Sequence, residues 1–262
     1  MRLAGRTALV TGASSGLGAA FAEELARRQV NLVLLARTEQ ILNEKASRLH
    51  AEHGIRVDVI AADLAVEDAA TAVRHRLNEL GVHTDLLVNN AGFATQGRFE
   101  TIPADRDHHQ VMLNVTAVVD LTHALLPDML AAGTGAIINV ASLGGFQPAP
   151  YLAVYAAGKA FILSFSQALS AELRPRGIAV LALCPGPVDT AFFDVLGSRA
   201  AAIGQHLDAA TVITTALDAL AAGKTVVVPG WRNRLTARAA TLLPRRVVLA
   251  VAERSTRRVL SR

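Results

Sequence analysis

Thr7-Ala8-Leu9-Val10-Thr11-Gly12-Ala13-Ser14-Ser15-Gly16-Leu17-Gly18 is the stretch on which the fold turns. A short branched apolar run enters a glycine-rich turn, and Leu17, Phe21 and Leu25 then recur four apart, on one face of a helix. In such a strand–turn–helix unit the first glycine lets the chain turn tightly at Gly12. The second lets backbone approach a pyrophosphate near Gly16, and the third lets helix and strand pack closely at Gly18. The helix N-terminus, with its unpaired N–H groups, faces an anion. Gly12, Ser14, Ser15, Gly16, Leu17 and Gly18 are therefore the candidate dinucleotide contacts. A glycine-rich turn alone is weak evidence, and its position after the first strand gives it weight.

Working outward, the next strand ends in Ala36-Arg37. A site for the ribose 2′-hydroxyl would place a carboxylate about twenty residues beyond the glycines, and none stands there. Arg37 instead offers a planar, permanent cation suited to a 2′-phosphate, so the expected cofactor is NADP(H). Further branched runs follow at Asn31–Ala36, Val57–Ala61, Asp85–Val88, Ala136–Val140, Ile178–Leu183 and Thr225–Val228, separated by helical stretches. Continuous apolar strands of this kind suit a parallel sheet covered on both faces. One later helix is bracketed by Asp208 as N-cap and Gly223 as stop. The expected architecture is α/β: a Rossmann-like doubly wound parallel sheet of about seven strands with helices on both faces.

The 262 residues are 52% hydrophobic, enough for one large core. A single cysteine, Cys184, excludes an intramolecular disulfide and thiolate metal clusters. No h-region precedes the first strand and no uninterrupted apolar run reaches about 18 residues, so a cytoplasmic chain is expected. The net charge of +4 is unevenly spread: residues 230–262 hold nine arginines against Glu253 alone. The expected division is residues 1–230 as the dinucleotide-binding catalytic domain and 231–262 as a basic, helical extension. In that extension Leu235, Ala239, Leu242 and Leu243 fall at helical spacing, Pro244 interrupts, and Val247–Val251 resumes. Packing on the domain, packing on a neighbouring subunit, and peripheral contact with the inner face of a membrane are the readings it leaves open. Nucleic acid is not expected, because Trp231 has no aromatic companions for stacking.

The chemical signal is Tyr155 with Lys159. Four residues apart on a helix they share a face, so the ammonium can favour the phenol's ionised form and make it a usable acid and base. The chain has only two tyrosines and three lysines among its 26 cations, which makes the pairing informative.

These residues resemble the short-chain dehydrogenase/reductase family, over about residues 5 to 230. Thr11–Gly18 resembles its TGxxxGxG turn, Asp63-Leu64 the pair that holds adenine, and Asn89-Asn90-Ala91-Gly92 the segment closing the fourth strand. Asn114 sits at the family's helix asparagine, Ser142 at its serine thirteen residues before the tyrosine, and Pro185-Gly186-Pro187-Val188-Asp189-Thr190 resembles the segment beside the nicotinamide. The resemblance implies a catalytic set of Asn114, Ser142, Tyr155 and Lys159. It also implies cofactor contacts from Asp63, Leu64, Asn90, Ala91, Gly92, Tyr155, Lys159, Pro185, Gly186, Val188 and Thr190. Tyr155 would exchange a proton with a carbonyl or alcohol oxygen, Ser142 would hold that oxygen, and Lys159 would tune the phenol and bind ribose. Asn114 would support a water linking Lys159 to solvent. A small-molecule carbonyl or secondary alcohol is the implied substrate, and a homodimer or homotetramer the implied assembly. The alternatives are an NADP(H)-binding regulatory protein with little catalysis and a peripheral membrane protein.

Other residues carry less. His108-His109 would diverge on a helix, so no metal is expected. Cys184 reads as a small buried hydrophobe. Tyr151 either lines the substrate pocket or packs. Ala191–Gly197, mostly apolar, is of the kind that closes over substrate in the family, which points to a hydrophobic substrate.

Overall fold

The computed structural model describes residues 3–189 and 204–260, with side chains as far as 254. Seven parallel strands form one sheet in the order β3-β2-β1-β4-β5-β6-β7: β1 (Thr7–Thr11), β2 (Asn31–Ala36), β3 (Val57–Ala61), β4 (Leu86–Asn89), β5 (Gly135–Val140), β6 (Ile178–Leu183) and β7 (Val226–Val227). Side chains alternate across each strand, so Ala8, Val10, Leu32, Leu34, Val88 and Ile138 face one layer while Leu9, Val33, Leu35, Leu87 and Ile137 face the other. The first layer is covered by α1 (Gly16–Arg27) through Phe21 and Leu25, by α2 (Glu39–His53) through Leu42 and Leu49, and by α7 (Ala209–Ala221) through Val212 and Leu217. The second is covered by α3 (Ala69–Glu79) through Val73 and Leu77, and by α5 (Ala117–Ala132) through Leu121, Leu125 and Met129. Strands β1, β2, β4, β5 and β6 bury both faces, as the continuous apolar runs require, while the edge strands β3 and β7 are only partly buried.

Strand β7 is shorter than the run Thr225–Val228. It is an edge strand, and Pro229, which has no N–H, follows after Val228. The helix expected after Asp208 is present: the Asp208 carboxylate accepts the Thr211 N–H at 2.7 Å, and Gly223 takes φ +66°.

A continuous helical stretch runs from Ala104 to Ala132, as α4 (Ala104–Val111), a π-turn (Met112–Thr116) and α5. By length and composition it would cross a bilayer, yet Leu121, Leu125 and Met129 are spent on the sheet. The π-turn is absent from the sequence reading, and it carries Asn114. Beyond β7 the chain forms α8 (Trp231–Leu242) and α9 (Arg245–Leu260), separated at Pro244. The strand order reverses between β1 and β4, which opens a crevice at their carboxyl ends.

Candidate active site

That crevice is floored by the glycine turn. Gly12 and Gly16 hold φ of +66° and +56°, where a side chain is strained, and α1 starts at Gly16. A Cβ at Gly12 would lie 2.8 Å from Asn90 Nδ2, and one at Gly18 would collide with Gly12 O. Glycine is thus required for packing as well as for approach, and the turn presents a backbone cradle with Ser14, Ser15 and Leu17 on its rim. Thr11, missed as a functional residue, ties this turn to the neighbouring strand. Its buried hydroxyl accepts the N–H groups of Asn90 and Ala91, both at 2.9 Å, and bonds to Val88 O. The Asn90 amide donates to Thr11 O at 2.9 Å, so its side chain braces the cradle.

Arg37 is exposed at the end of β2 and makes no ion pair among the described residues. Asp63 is exposed past β3, its Oδ1 accepting the Ala65 N–H at 2.9 Å, whereas the Leu64 side chain is buried in the second layer and leaves only its backbone for a ligand. These groups and the cradle fit a dinucleotide. Pro185, Gly186 and Val188 leave β6 towards the same crevice; Thr190 and Ala191–Gly197 lie outside the described residues.

Tyr155 and Lys159 project from α6 (Ala153–Leu173), one turn apart. The Lys159 ammonium lies 5.8 Å from the centroid of the Tyr155 ring and donates to Val140 O at 2.6 Å. Ser142, two residues past β5, accepts the Gly144 N–H at 3.0 Å and hydrogen-bonds Tyr155. A Cβ at Gly145 would stand 2.7 Å from Lys159 O, so the serine loop lies directly on α6. Asn114 is buried, and both ends of its amide bond to Phe93: Oδ1 accepts the N–H at 3.1 Å and Nδ2 donates to the carbonyl at 2.8 Å. It approaches Gly92, where a Cβ would be 2.9 Å from Asn114 Oδ1 and 3.8 Å from Lys159 Nζ.

Burial pushes the Tyr155 phenol above its ordinary range, opposed by the Ser142 hydrogen bond. Burial also lowers Lys159 to about 8, with Cys184 as a smaller opposing influence. Burial thus favours the protonated phenol, and the interaction that opposes it comes from Ser142 rather than from Lys159, the source that the helix spacing predicts. Cys184 is fully buried and raised by burial to about 12, an inert hydrophobe behind the site.

A second polar feature was not anticipated. Asn89 Nδ2 donates to Asn139 Oδ1 at 2.9 Å, Asn139 Nδ2 donates to Ser166 Oγ at 2.9 Å, and that hydroxyl donates to Ile162 O. This buried ladder joins β4, β5 and α6, fixing the helix that carries Tyr155 and Lys159 against the strand that delivers Ser142. Tyr151, one turn before Tyr155, holds φ +66°, accepts the Gly97 N–H at 3.0 Å and lines a cavity of about 210 Å³ with Thr95, Phe99, Ile102 and Val154. His108 and His109 are exposed. Elsewhere among the described residues Glu23, Glu52 and His53 cluster as metal ligands would, but Arg48 ion-pairs with both glutamates.

Against known proteins, a family model described as short chain dehydrogenase matches residues 6–200. The chain belongs to the short-chain dehydrogenase family. Among its relatives this short-chain dehydrogenase is 36% identical over 191 residues to a very-long-chain 3-oxoacyl-CoA reductase of Danio rerio, covering 71% of the chain and 60% of the relative. It is 34% identical over 200 residues to a 17-beta-hydroxysteroid dehydrogenase type 3 of Rattus norvegicus, covering 72% and 62%. The chain thus spans about 60% of the length of these relatives. Among solved structures, a short-chain dehydrogenase from Sphingobium yanoikuyae in complex with NADPH superposes with TM-score 0.81 at 37% identity, over 86% of this chain and 88% of that one. A bulky-bulky ketone specific alcohol dehydrogenase from Comamonas testosteroni gives 0.76 at 37%, over 86% of each.

Proposed function

We propose that this protein is an NADP(H)-dependent oxidoreductase that interconverts a carbonyl and a secondary alcohol on a bulky, largely apolar substrate. The observation that carries the reading is the convergence of the Ser142 hydroxyl, the Tyr155 phenol and the Lys159 ammonium beside the glycine cradle. When bound, the nicotinamide supplies or accepts hydride at the substrate carbon. Tyr155 Oη gives its proton to the carbonyl oxygen in reduction and takes it back in oxidation. Ser142 holds that oxygen and stabilises developing charge. A raised phenol pKa keeps the proton available for reduction, and the Lys159 ammonium, 5.8 Å from the ring centroid, would favour the phenolate that remains.

Arg37 supports the choice of NADP(H), as does the NADPH in the Sphingobium yanoikuyae structure. The cavity beside Tyr151 has Phe99, Ile102 and Val154 in its wall together with Arg98, Glu100 and Asp107, so support for an apolar substrate comes chiefly from relatives named for 3-oxoacyl-CoA, hydroxysteroid and bulky ketone substrates. The test is NADPH consumption against a panel of ketones graded by bulk. Turnover rising towards bulky apolar ketones is expected, and absence of turnover across the panel would overturn the reading.

The extension supports peripheral contact with an anionic bilayer. In α8, Asn233 and Ala237 are buried, while Trp231, Leu235 and Leu242 on the opposite face are exposed, with Leu242 83% exposed, among Arg232, Arg234 and Arg238. Val247, Leu249 and Val251 of α9 are exposed as well. A second copy seated on this face by two-fold symmetry would set arginine against arginine, whereas anionic lipid complements both the charge and the apolar stripe.

A further inference from the structure

Asn233 is the one asparagine of the extension, and its side chain is fully buried although it lies one turn into a helix whose outer face is exposed. Its Oδ1 accepts the Gln205 N–H at 2.7 Å; its Nδ2 donates to Gln205 O at 3.1 Å and to Pro229 O at 3.0 Å. All three are bonds to backbone: the one to Pro229 is local, just ahead of the helix, and the two to Gln205 reach a separate segment, which the amide grips at both N–H and carbonyl as a two-point clamp. A buried amide so satisfied costs little to keep and much to truncate, because the backbone groups it leaves have no water to turn to.

Two glycines are shaped around this clamp. A Cβ at Gly186 would lie 2.5 Å from Asn233 Nδ2, and one at Gly204 would lie 2.6 Å from Asn233 Oδ1 and 3.0 Å from Pro187. The amide therefore rests directly on the backbone of the loop leaving β6. From there the connections run to the site: Leu207 N–H donates to Pro187 O at 3.2 Å, Asp189 N–H to Leu207 O at 3.3 Å, and Leu143 N–H, beside Ser142, to Pro185 O at 2.8 Å. Segment 204–207 pairs with 187–189 on one side and is held by Asn233 on the other.

We propose that Asn233 is a positioning residue for the dinucleotide and substrate site: from the C-terminal extension it sets the height of the Pro185–Val188 loop over the crevice and, through Pro185 and Leu143, the seat of the Ser142 loop. The extension is thereby part of the functional unit. This rests on the proposed cofactor reading for its consequence, and on the hydrogen bonds alone for its structural half.

The experiment compares the wild-type chain with Asn233→Ala, Gly186→Ala and the double variant. A Leu49→Ala control removes a buried side chain of α2, which packs in the first layer and takes no part in this loop. Hydrogen exchange of the cofactor-free chain is read over residues 185–189 and 204–207, and the NADPH Kd is measured at a temperature where every variant is folded. Asn233→Ala is expected to speed exchange in both segments and to weaken NADPH about tenfold, the scale of one or two buried hydrogen bonds. Leu49→Ala is expected to lower Tm with neither change. Gly186→Ala is expected to weaken NADPH in the wild-type background and to do so less in the Asn233→Ala background, where the amide it would strike is gone. Exchange and Kd both unchanged in Asn233→Ala, or equally changed in Leu49→Ala, would overturn the proposal. Were the wild-type chain itself not to bind NADPH, the cofactor reading would fail, and the exchange comparison would still decide the role of Asn233.

Discussion

Arg37 is a cation without an ion-pair partner among the described residues, at the carboxyl end of β2, where a dinucleotide's ribose would be met. An unpaired, exposed guanidinium has no structural task to lose, so its replacement isolates recognition. Arg37→Asp is expected to raise the NADPH Kd by about 10–100-fold, the scale of a charge-assisted contact turned repulsive, while NADH changes by less than about threefold. Equal losses for both would contradict a 2′-phosphate contact. At this scale the sequence was legible wherever a residue type is dictated by its own neighbourhood: glycine at Gly12 and Gly16 by positive φ, lysine four residues after tyrosine by the helix turn. Thr11, Asn139 and Asn233 were not legible. Each is an ordinary polar residue until its partner arrives from a distant part of the chain: Asn90, Asn89 and Gln205 respectively.

Among the elements, strands announced themselves as short branched apolar runs, which the inner strands of a parallel sheet need because they bury both faces, and β2, β3 and β6 carry the bounds those runs imply. The π-turn at Met112–Thr116 had no such signal: one extra residue in a helical turn changes no periodicity that a short window detects, yet it sets where Asn114 meets Phe93. Helix α8 was foreseen as apolar at helical spacing, but which side faced inward depended on Asn233. With that side buried, the stripe of Trp231, Leu235 and Leu242 points outward, and its arginines make an anionic surface the fitting partner. The intact chain is expected to co-sediment with vesicles containing phosphatidylserine and to be released by high salt. Leu235→Glu with Leu242→Glu is expected to abolish co-sedimentation without moving the NADPH Kd. Equal sedimentation of both chains would contradict bilayer contact. Loss of a dimer in the double variant, with no vesicle binding by either chain, would assign the face to a second copy.

For the molecule as a whole, fold and chemistry are joined by the reversal of strand order between β1 and β4. The cradle, Arg37 and Asp63 lie at the ends of β1, β2 and β3 on one side of that reversal, and Ser142 and the Pro185–Val188 loop at the ends of β5 and β6 on the other. Helix α6, held by the Asn89–Asn139–Ser166 ladder, brings Tyr155 and Lys159 across to meet them. The sequence-level division at residue 230 treats the last 32 residues as an appendage; Asn233 binds them into the same unit. In the proposed reaction the Tyr155 phenol supplies the proton that accompanies hydride transfer. This role is tested most directly by single-turnover reduction of an accepted ketone by preloaded NADPH in the wild type and in Tyr155→Phe, with the NADPH Kd of both measured alongside. A rate about 10²–10⁴-fold lower in Tyr155→Phe, with NADPH binding within about twofold, is the expected result for loss of a general acid. An undiminished single-turnover rate would contradict it.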